Sequence, residues 1–261
     1  MPITVETPRI VAHLCAERDG TTAPIGTGFF VGMRGQHTLT FSHVYLVTAR
    51  HIVAHARTVY VRLTDPTGQT QDQRLDNWFV PDDNADVAVA PMPGFDGTGH
   101  LLWPYDDFLT ADDDQPYLGD NVYFIGMFSF VPSMGAKNIP MVRSGTLGAL
   151  NQDDIPIVTS DRVTSTMNGH LIDCRAYSGF SGAPCLVQTP NGVTRLLGVI
   201  SAHFDASVPL QGAPGDPAFE PRVPVHAGVG VVTPVEALDS LLKEPRLVEL
   251  RALTDAALSQ E

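Results

Sequence analysis

Three separate segments carry residue types that a covalent hydrolase needs. Such an enzyme requires a weak nucleophile beside a base, and a turn whose N–H groups point at the developing oxyanion. The segment YSGFSGAP, residues 177–184, fits this turn: Gly179 and Gly182 permit a tight backbone, and a strand begins at Pro184. Ser181 lies at its tip. Taken alone, the segment is almost as typical of a glycine-rich β-turn with an exposed serine.

A histidine and an aspartate supply the other two groups of a triad. The run VYLVTARHI places His51 at the end of an apolar strand, and DVAVAPM places Asp86 just before another, where a carboxylate can orient an imidazole. Separately, each has an ordinary interpretation, a core or surface histidine and a turn aspartate. Together, in the order His, Asp, Ser, they favour nucleophilic catalysis.

Nearby residues offer alternatives for two of these positions. His43 and His55 flank His51, but neither follows a Thr-Ala pair. Asp82 and Asp83 lie in the polar turn PDDN rather than at a strand start. The sequence therefore favours His51 and Asp86.

The composition of the chain argues against several classes of partner and cofactor. The 261 residues carry 16 Lys and Arg against 29 Asp and Glu, a net charge of −13, which disfavours nucleic acid and anionic membranes as partners. The nine histidines show no metal-binding spacing, so we expect no metal and no cofactor. Three cysteines without CxxC spacing, and no basic and apolar leader, favour the cytoplasm, with a trimmed secretory leader as the alternative.

The spacing of turn-forming residues along the chain predicts an all-β fold. Short runs rich in Val, Ile, Phe, Tyr and Thr alternate with Gly, Pro, Asp and Asn, giving six candidate strands in residues 10–92 and six in 121–233. A helix is predicted from Thr233 as N-cap, with Pro245 dividing it into two pieces. Residues 205–226, with five prolines, are predicted to form a long surface loop.

At these motifs the sequence resembles the chymotrypsin-like serine peptidases, especially bacterial members without disulfides. The matching segments are GTGFFV at 26–31, TARH at 48–51, DVAV at 86–89, GFSGAP at 179–184 and GVIS at 198–201. The resemblance implies two six-stranded antiparallel β-barrels and a C-terminal helix. The implied domains are 1–100, carrying His51 and Asp86, then 101–233, carrying Ser181, and a helical segment 234–261.

The resemblance also assigns roles to individual residues. It implies that Ser181 is the nucleophile, His51 the general base and then acid, and Asp86 the group that orients His51. The N–H groups of Gly179 and Ser181 would form the oxyanion hole. Phe180 replaces an acidic residue that pairs with a newly cut N-terminus in secreted animal relatives, so activation by such cleavage is not expected.

The same resemblance locates the primary specificity pocket. One wall would carry Arg175 and Ala176, and the other Ser201, Ala202 and His203. Neither wall has an acidic residue, which disfavours a preference for Lys or Arg. Small apolar and acidic side chains both stay open.

Two functions follow from these observations. The first is a serine endopeptidase that acts on polypeptides through an acyl-enzyme. The second is a peptide-binding module on a peptidase fold, inactive or latent until a partner binds. Any regulatory partner is expected to be a separate chain.

Overall fold

The fold is described from a computed structural model, which covers residues 3–18, 20–35, 41–128, 137–158, 164–174, 179–209 and 222–258. Strands dominate these residues, and two sheets contain them all. The all-β expectation is confirmed, with differences in strand number and bounds given below.

The first sheet has six antiparallel neighbours in the order β5-β4-β1-β2-β3-β6, and a short seventh strand, β7, that pairs in parallel with β2. Its strands are β1 Val11–Arg18, β2 Thr21–Arg34, β3 Phe41–Thr48, β4 Val59–Thr64, β5 Thr70–Leu75, β6 Ala88–Pro91 and β7 Trp103–Pro104. Residues 103 and 104 thus join the sheet that carries His51 and Asp86.

The second sheet closes into a six-stranded barrel, in the order β10-β13-β12-β11-β8-β9. Its strands are β8 Asn121–Met127, β9 Pro140–Val158, β10 Thr164–Asp173, β11 Pro184–Gln188, β12 Thr194–Pro209 and β13 Arg222–Pro234. Strand β11 starts at a proline, which lacks the N–H that an interior position would need.

The long strands of this barrel correct one expectation. Residues 205–226 were predicted to form a surface loop, but Asp205–Pro209 pair with Arg222–His226 as the ends of β12 and β13. Alternating Val and Pro here can follow an extended ladder on an edge, so proline content alone misled the prediction. Residues 210–221 lie outside the described part of the chain.

In the part of the chain that the structure describes, three α-helices accompany the sheets: α1 Arg50–Ala54, α2 Val235–Leu242 and α3 Pro245–Leu258. His51 was expected at the end of a strand, but β3 stops at Thr48 and His51 lies in the first turn of α1. Pro245 starts α3, as a residue without a backbone N–H favours. The predicted cap Thr233 remains in β13, and Pro234 occupies the cap position of α2.

Two apolar clusters hold the molecule together. One lies inside the first sheet and includes Leu14 and Phe30, whereas the other includes Phe29 and runs through the second barrel to Leu238 of α2. Adjacent residues of β2 therefore contribute to different clusters, because side chains alternate across a strand. Strand β2 is buried on both faces and joins the two halves of the fold.

The C-terminal helices make polar contacts with β3, with each other and with the turn Tyr105–Asp107 that follows β7. From α3, the Arg251 guanidinium donates to the Tyr45 hydroxyl at 3.1 Å and to the Leu242 carbonyl at 2.8 Å. From α2, the Asp239 carboxylate accepts from the Tyr105 hydroxyl. In the described residues no helix is long and apolar enough to cross a membrane.

The buried thiols generate a prediction about redox sensitivity. Cys15, Cys174 and Cys185 are all buried, and burial raises the pKa of Cys15 to about 11 and that of Cys185 still further. All three cysteines are free, so dithiothreitol has no disulfide to reduce and should leave the melting temperature unchanged. Because buried thiols with raised pKa values react poorly, the folded protein should also resist iodoacetamide. A fall of several degrees with reductant, measured by differential scanning fluorimetry, would show that a disulfide supports the fold.

Candidate active site

Asp86 makes two hydrogen bonds to His51. One carboxylate oxygen, Oδ1, accepts from the His51 backbone N–H at 2.8 Å, and Oδ2 lies 2.8 Å from the ring Nδ1. An ionised carboxylate only accepts, so Nδ1 carries the proton and Nε2 presents a lone pair. The His51 side chain is 38% exposed and that of Asp86 17%, so the ring is open to solvent while the carboxylate lies behind it.

The position of His51 in the first turn of α1 explains how its backbone N–H and its ring both reach the Asp86 carboxylate. The helix begins directly after the extended Ala49, so the His51 N–H, at its second position, has no preceding turn of helix to donate to. Asp86, which precedes β6, accepts the N–H of His51 in this turn. The carboxylate therefore holds both the backbone and the ring of the histidine.

Two hydroxyl groups of the second barrel lie close to the backbone carbonyl of Asp86. The hydroxyls of Ser201 and Thr233 lie 2.6 Å apart, and each lies 3.5 Å from the Asp86 carbonyl oxygen. Ser201 was expected to line the specificity pocket, and that role stays a prediction. Its side chain is buried, and its hydroxyl lies near the Asp86 carbonyl.

The turn that contains Ser181 is fixed by backbone bonds within the second barrel. The Ala183 N–H donates to the Phe180 carbonyl at 2.9 Å. The Gly182 N–H donates to the Ile200 carbonyl at 2.7 Å, and the Ile200 N–H donates to the Ala183 carbonyl at 2.9 Å. Gly179 and Gly182 have φ values of 101° and 85°, which disfavour any side chain.

The same turn presses against the strand that leads to His51. A Cβ built on Gly182 would lie 2.2 Å from both the Thr27 carbonyl oxygen and the Thr48 hydroxyl, and 3.1 Å from the Ala49 nitrogen. Only glycine permits this approach. Ser181 of the second barrel is therefore adjacent to the backbone that enters α1 of the first.

Thr27 bonds to the turn on both sides of Phe180. Its backbone N–H donates to the Ser181 carbonyl at 2.9 Å, and its hydroxyl donates to the Gly179 carbonyl at 2.6 Å. In the sequence, GTGFFV is a segment that matches the family, and no role was predicted for Thr27. The threonine between two glycines was the available signal.

Phe180 anchors the turn in the apolar core. Its side chain is fully buried, meets Phe124 edge-on with ring centroids 5.6 Å apart, and lies over Gly126. A carboxylate in this place would need a buried cation. The position is therefore apolar in this chain, which fits the expectation that no cleaved N-terminus docks here.

The predicted specificity walls are described only in part. Arg175 and Ala176 lie outside the described residues. On the other wall, Ala202 is half-buried, and the His203 ring stacks on His226 with centroids 4.9 Å apart. Burial and the neighbouring His203 lower the pKa of His226.

An acidic residue does lie beside this wall. Asp205 Oδ1 is 3.4 Å from His203 Nε2, because β12 continues as a strand beyond His203. Asp205 was predicted to lie in a loop and is instead a residue of β12. It is not one of the predicted wall residues, so the expectation that neither wall carries an acid stays a prediction.

The alternative candidates make other contacts. His43 Nε2 lies 2.9 Å from an Asp255 carboxylate oxygen of α3, and His55 follows the end of α1. The Asp83 carboxylate accepts from the Ala85 N–H at 2.9 Å. Within the described residues, no group of three or more His, Cys, Asp or Glu side chains is placed to hold a metal ion.

A protein family and several solved structures resemble this chain. A family model described as trypsin-like peptidase domain matches residues 26–193. The protease domain of MamO from Magnetospirillum magneticum is 18% identical with a TM-score of 0.56, covering 92% of this chain and 99% of that one. No curated protein sequence matches the chain.

Two further solved structures share the fold. The Rv3671c protease of M. tuberculosis in its active form is 20% identical with a TM-score of 0.52, covering 92% of this chain and 82% of that one. The HtrA-type protease AlgW with a decapeptide is 15% identical with a TM-score of 0.54, covering 93% and 65%. At these identities the similarity shows the fold.

The contact at Gly182 generates a matched pair of variants. Gly182→Ala adds a Cβ into backbone and hydroxyl atoms at a φ of 85°, whereas Gly192→Ala adds one at a φ of 80° with nothing within 4 Å. Backbone strain alone costs about 1–3 kcal/mol. We expect Gly192→Ala to lower the free energy of unfolding in urea by that amount. Gly182→Ala should lower it further and should also lose peptidase activity. Equal losses with activity retained in both would disprove the close contact.

Proposed function

The chain belongs to the family of trypsin-like peptidase domains, and from this premise we propose that it is a serine endopeptidase acting through Ser181, His51 and Asp86. The observation that carries the proposal is the double hydrogen bond from Asp86 to the ring and backbone of His51. It fixes the tautomer in which Nε2 accepts a proton.

The proposed reaction runs through an acyl-enzyme. His51 Nε2 takes the proton of the Ser181 hydroxyl as Oγ forms a bond to the substrate carbonyl carbon. Asp86 stabilises the imidazolium, which then gives its proton to the leaving nitrogen as the C–N bond breaks. Water, deprotonated by His51, attacks the ester, and Ser181 recovers its proton as the acid product leaves.

The backbone of the turn supports an oxyanion hole at Ser181. The Phe180 carbonyl accepts from the Ala183 N–H, so the opposite end of that peptide, the Ser181 N–H, points away from this bond. The Ser181 N–H is thereby available to a substrate oxygen. Gly179 would supply the second donor from the other side of Phe180.

We propose a polypeptide substrate and no cofactor. The net charge of −13 disfavours nucleic acid and anionic membranes, and the triad chemistry requires no metal. Buried thiols are compatible with the cytoplasm, which we propose as the compartment. Near the proposed pocket, His203, Asp205 and His226 offer polar contacts to a substrate side chain.

Replacement of the nucleophile tests the proposed reaction. Ser181→Ala should reduce hydrolysis of fluorescein-labelled casein by about 10⁴- to 10⁶-fold, because no oxygen remains to form the acyl bond. Circular dichroism and the melting temperature should stay those of the wild type. Equal hydrolysis by both proteins would remove Ser181 from the mechanism. A folded wild type that retains casein peptides without cleaving them would instead be a binding module.

Replacement of Asp86 tests the hydrogen bonds to His51 on which the proposal rests. Asp86→Asn keeps the size of the side chain but offers an amide, so the Nδ1 proton of His51 loses its charged acceptor. The turnover number should fall by about 10⁴-fold with little change in KM. Asp83→Asn is the matched control, because Asp83 bonds to Ala85 rather than to His51. Full activity of Asp86→Asn would contradict the assignment.

A further inference from the structure

One threonine hydroxyl connects the first sheet to the nucleophile turn. Thr27 is fully buried in β2, and its Oγ1 donates to the Gly179 carbonyl at 2.6 Å while accepting from the Met127 N–H at 2.9 Å. Gly179 lies in the turn, and Met127 ends β8. The hydroxyl thus bridges two segments of the second barrel from a strand of the first.

These partners leave the hydroxyl a single orientation. A threonine hydroxyl has one proton to donate. The Met127 N–H occupies an acceptor site on Oγ1, and the proton is directed at the Gly179 oxygen. The Thr27 carbonyl in turn accepts from the Thr48 hydroxyl at 2.8 Å, and its N–H bonds to Ser181, so every polar group of Thr27 is used.

Gly179 is the residue in the turn that most needs such a restraint. Glycine has the widest range of φ and ψ, and here φ is 101°. Its carbonyl belongs to the peptide plane that follows its Cα, and its N–H belongs to the plane that precedes it. A hydrogen bond that holds the Gly179 carbonyl fixes the orientation of the plane that follows its Cα. The direction of the Gly179 N–H then depends only on φ and ψ of Gly179.

We propose that Thr27 is a positioning residue whose hydroxyl orients Gly179 as an oxyanion donor. This inference rests on the serine-peptidase function proposed above. Thr27 does not touch the reacting atoms. It acts through the Gly179 peptide, and it makes the oxyanion hole of the second barrel depend on correct docking of the first.

The test compares substitutions that separate shape from hydrogen bonding. Thr27→Val keeps the branched shape and removes the hydroxyl, and Thr27→Ser keeps the hydroxyl. The probe is p-nitrophenyl acetate, a small ester that needs no specificity pocket. For Thr27→Val we expect kcat to fall by about 10- to 100-fold, approaching the loss of an oxyanion donor, with KM within about twofold of the wild type.

A merely structural threonine would behave differently. Thr189 is also buried, and its hydroxyl donates to the Val193 carbonyl at 2.9 Å in the turn after β11. Thr189→Val should therefore lower the melting temperature as Thr27→Val does, but leave kcat unchanged. Thr27→Ser should restore kcat to within about threefold, because the donor is present again.

Several results would overturn the inference. They are a wild-type kcat in Thr27→Val, a rise in KM alone, or a Thr27→Ser variant no better than the valine variant. If Thr27→Val does not fold, Thr27→Cys replaces it, since a thiol is a weaker donor and should give an intermediate kcat. Wild-type kcat in folded Thr27→Cys would then count against the proposal.

The controls distinguish this inference from the function on which it rests. If the wild type and Ser181→Ala hydrolyse the ester equally, Ser181 is not the nucleophile, and both proposals fail. If the wild type depends on Ser181 but Thr27→Val retains full kcat, the peptidase function stands and only the role of Thr27 is lost.

Discussion

The proposed chemistry of this protein depends on a backbone contact between two sheets. At Gly182, a Cβ would lie 2.2 Å from the Thr27 carbonyl, so the nucleophile turn meets β2 without any side chain between them. A contact of this kind cannot adjust by a rotamer change. It fixes Ser181 of the second barrel relative to the part of the first sheet that continues to His51, which is what a nucleophile and its base require.

The remaining contacts keep this junction from shifting. Strand β2 contributes Phe29 to the apolar cluster shared with the second barrel and Phe30 to the cluster of the first, so movement of β2 would disrupt both. Ser201 and Thr233 reach the Asp86 carbonyl from the second barrel. The proposed acid is thus supported by the same barrel that carries the proposed nucleophile, while one side of His51 is exposed to solvent.

The sequence predicted what local chemistry determines and missed what long-range contacts determine. Strands with strong apolar runs, the break at Pro245 and the glycine turn follow from local preferences. The polar edge strand β5, TQDQRL, carries almost no apolar signal and was missed. The start of α1 at Arg50 was hidden because VYLVTARHI is apolar across the strand end. The hydroxyl of Thr27 bonds a residue 152 positions away, and no local pattern reveals such a pair.

Covalent trapping of the nucleophile tests the central claim most directly. The wild-type protein would be incubated with a fluorophosphonate, digested, and mapped by mass spectrometry. The proposed triad predicts one equivalent of phosphonate per chain, located on Ser181, because we propose this hydroxyl as the nucleophile that His51 activates and that the oxyanion turn serves. A folded protein that takes up no phosphonate, or takes it up on another residue, would contradict the assembly of an active site across the two sheets.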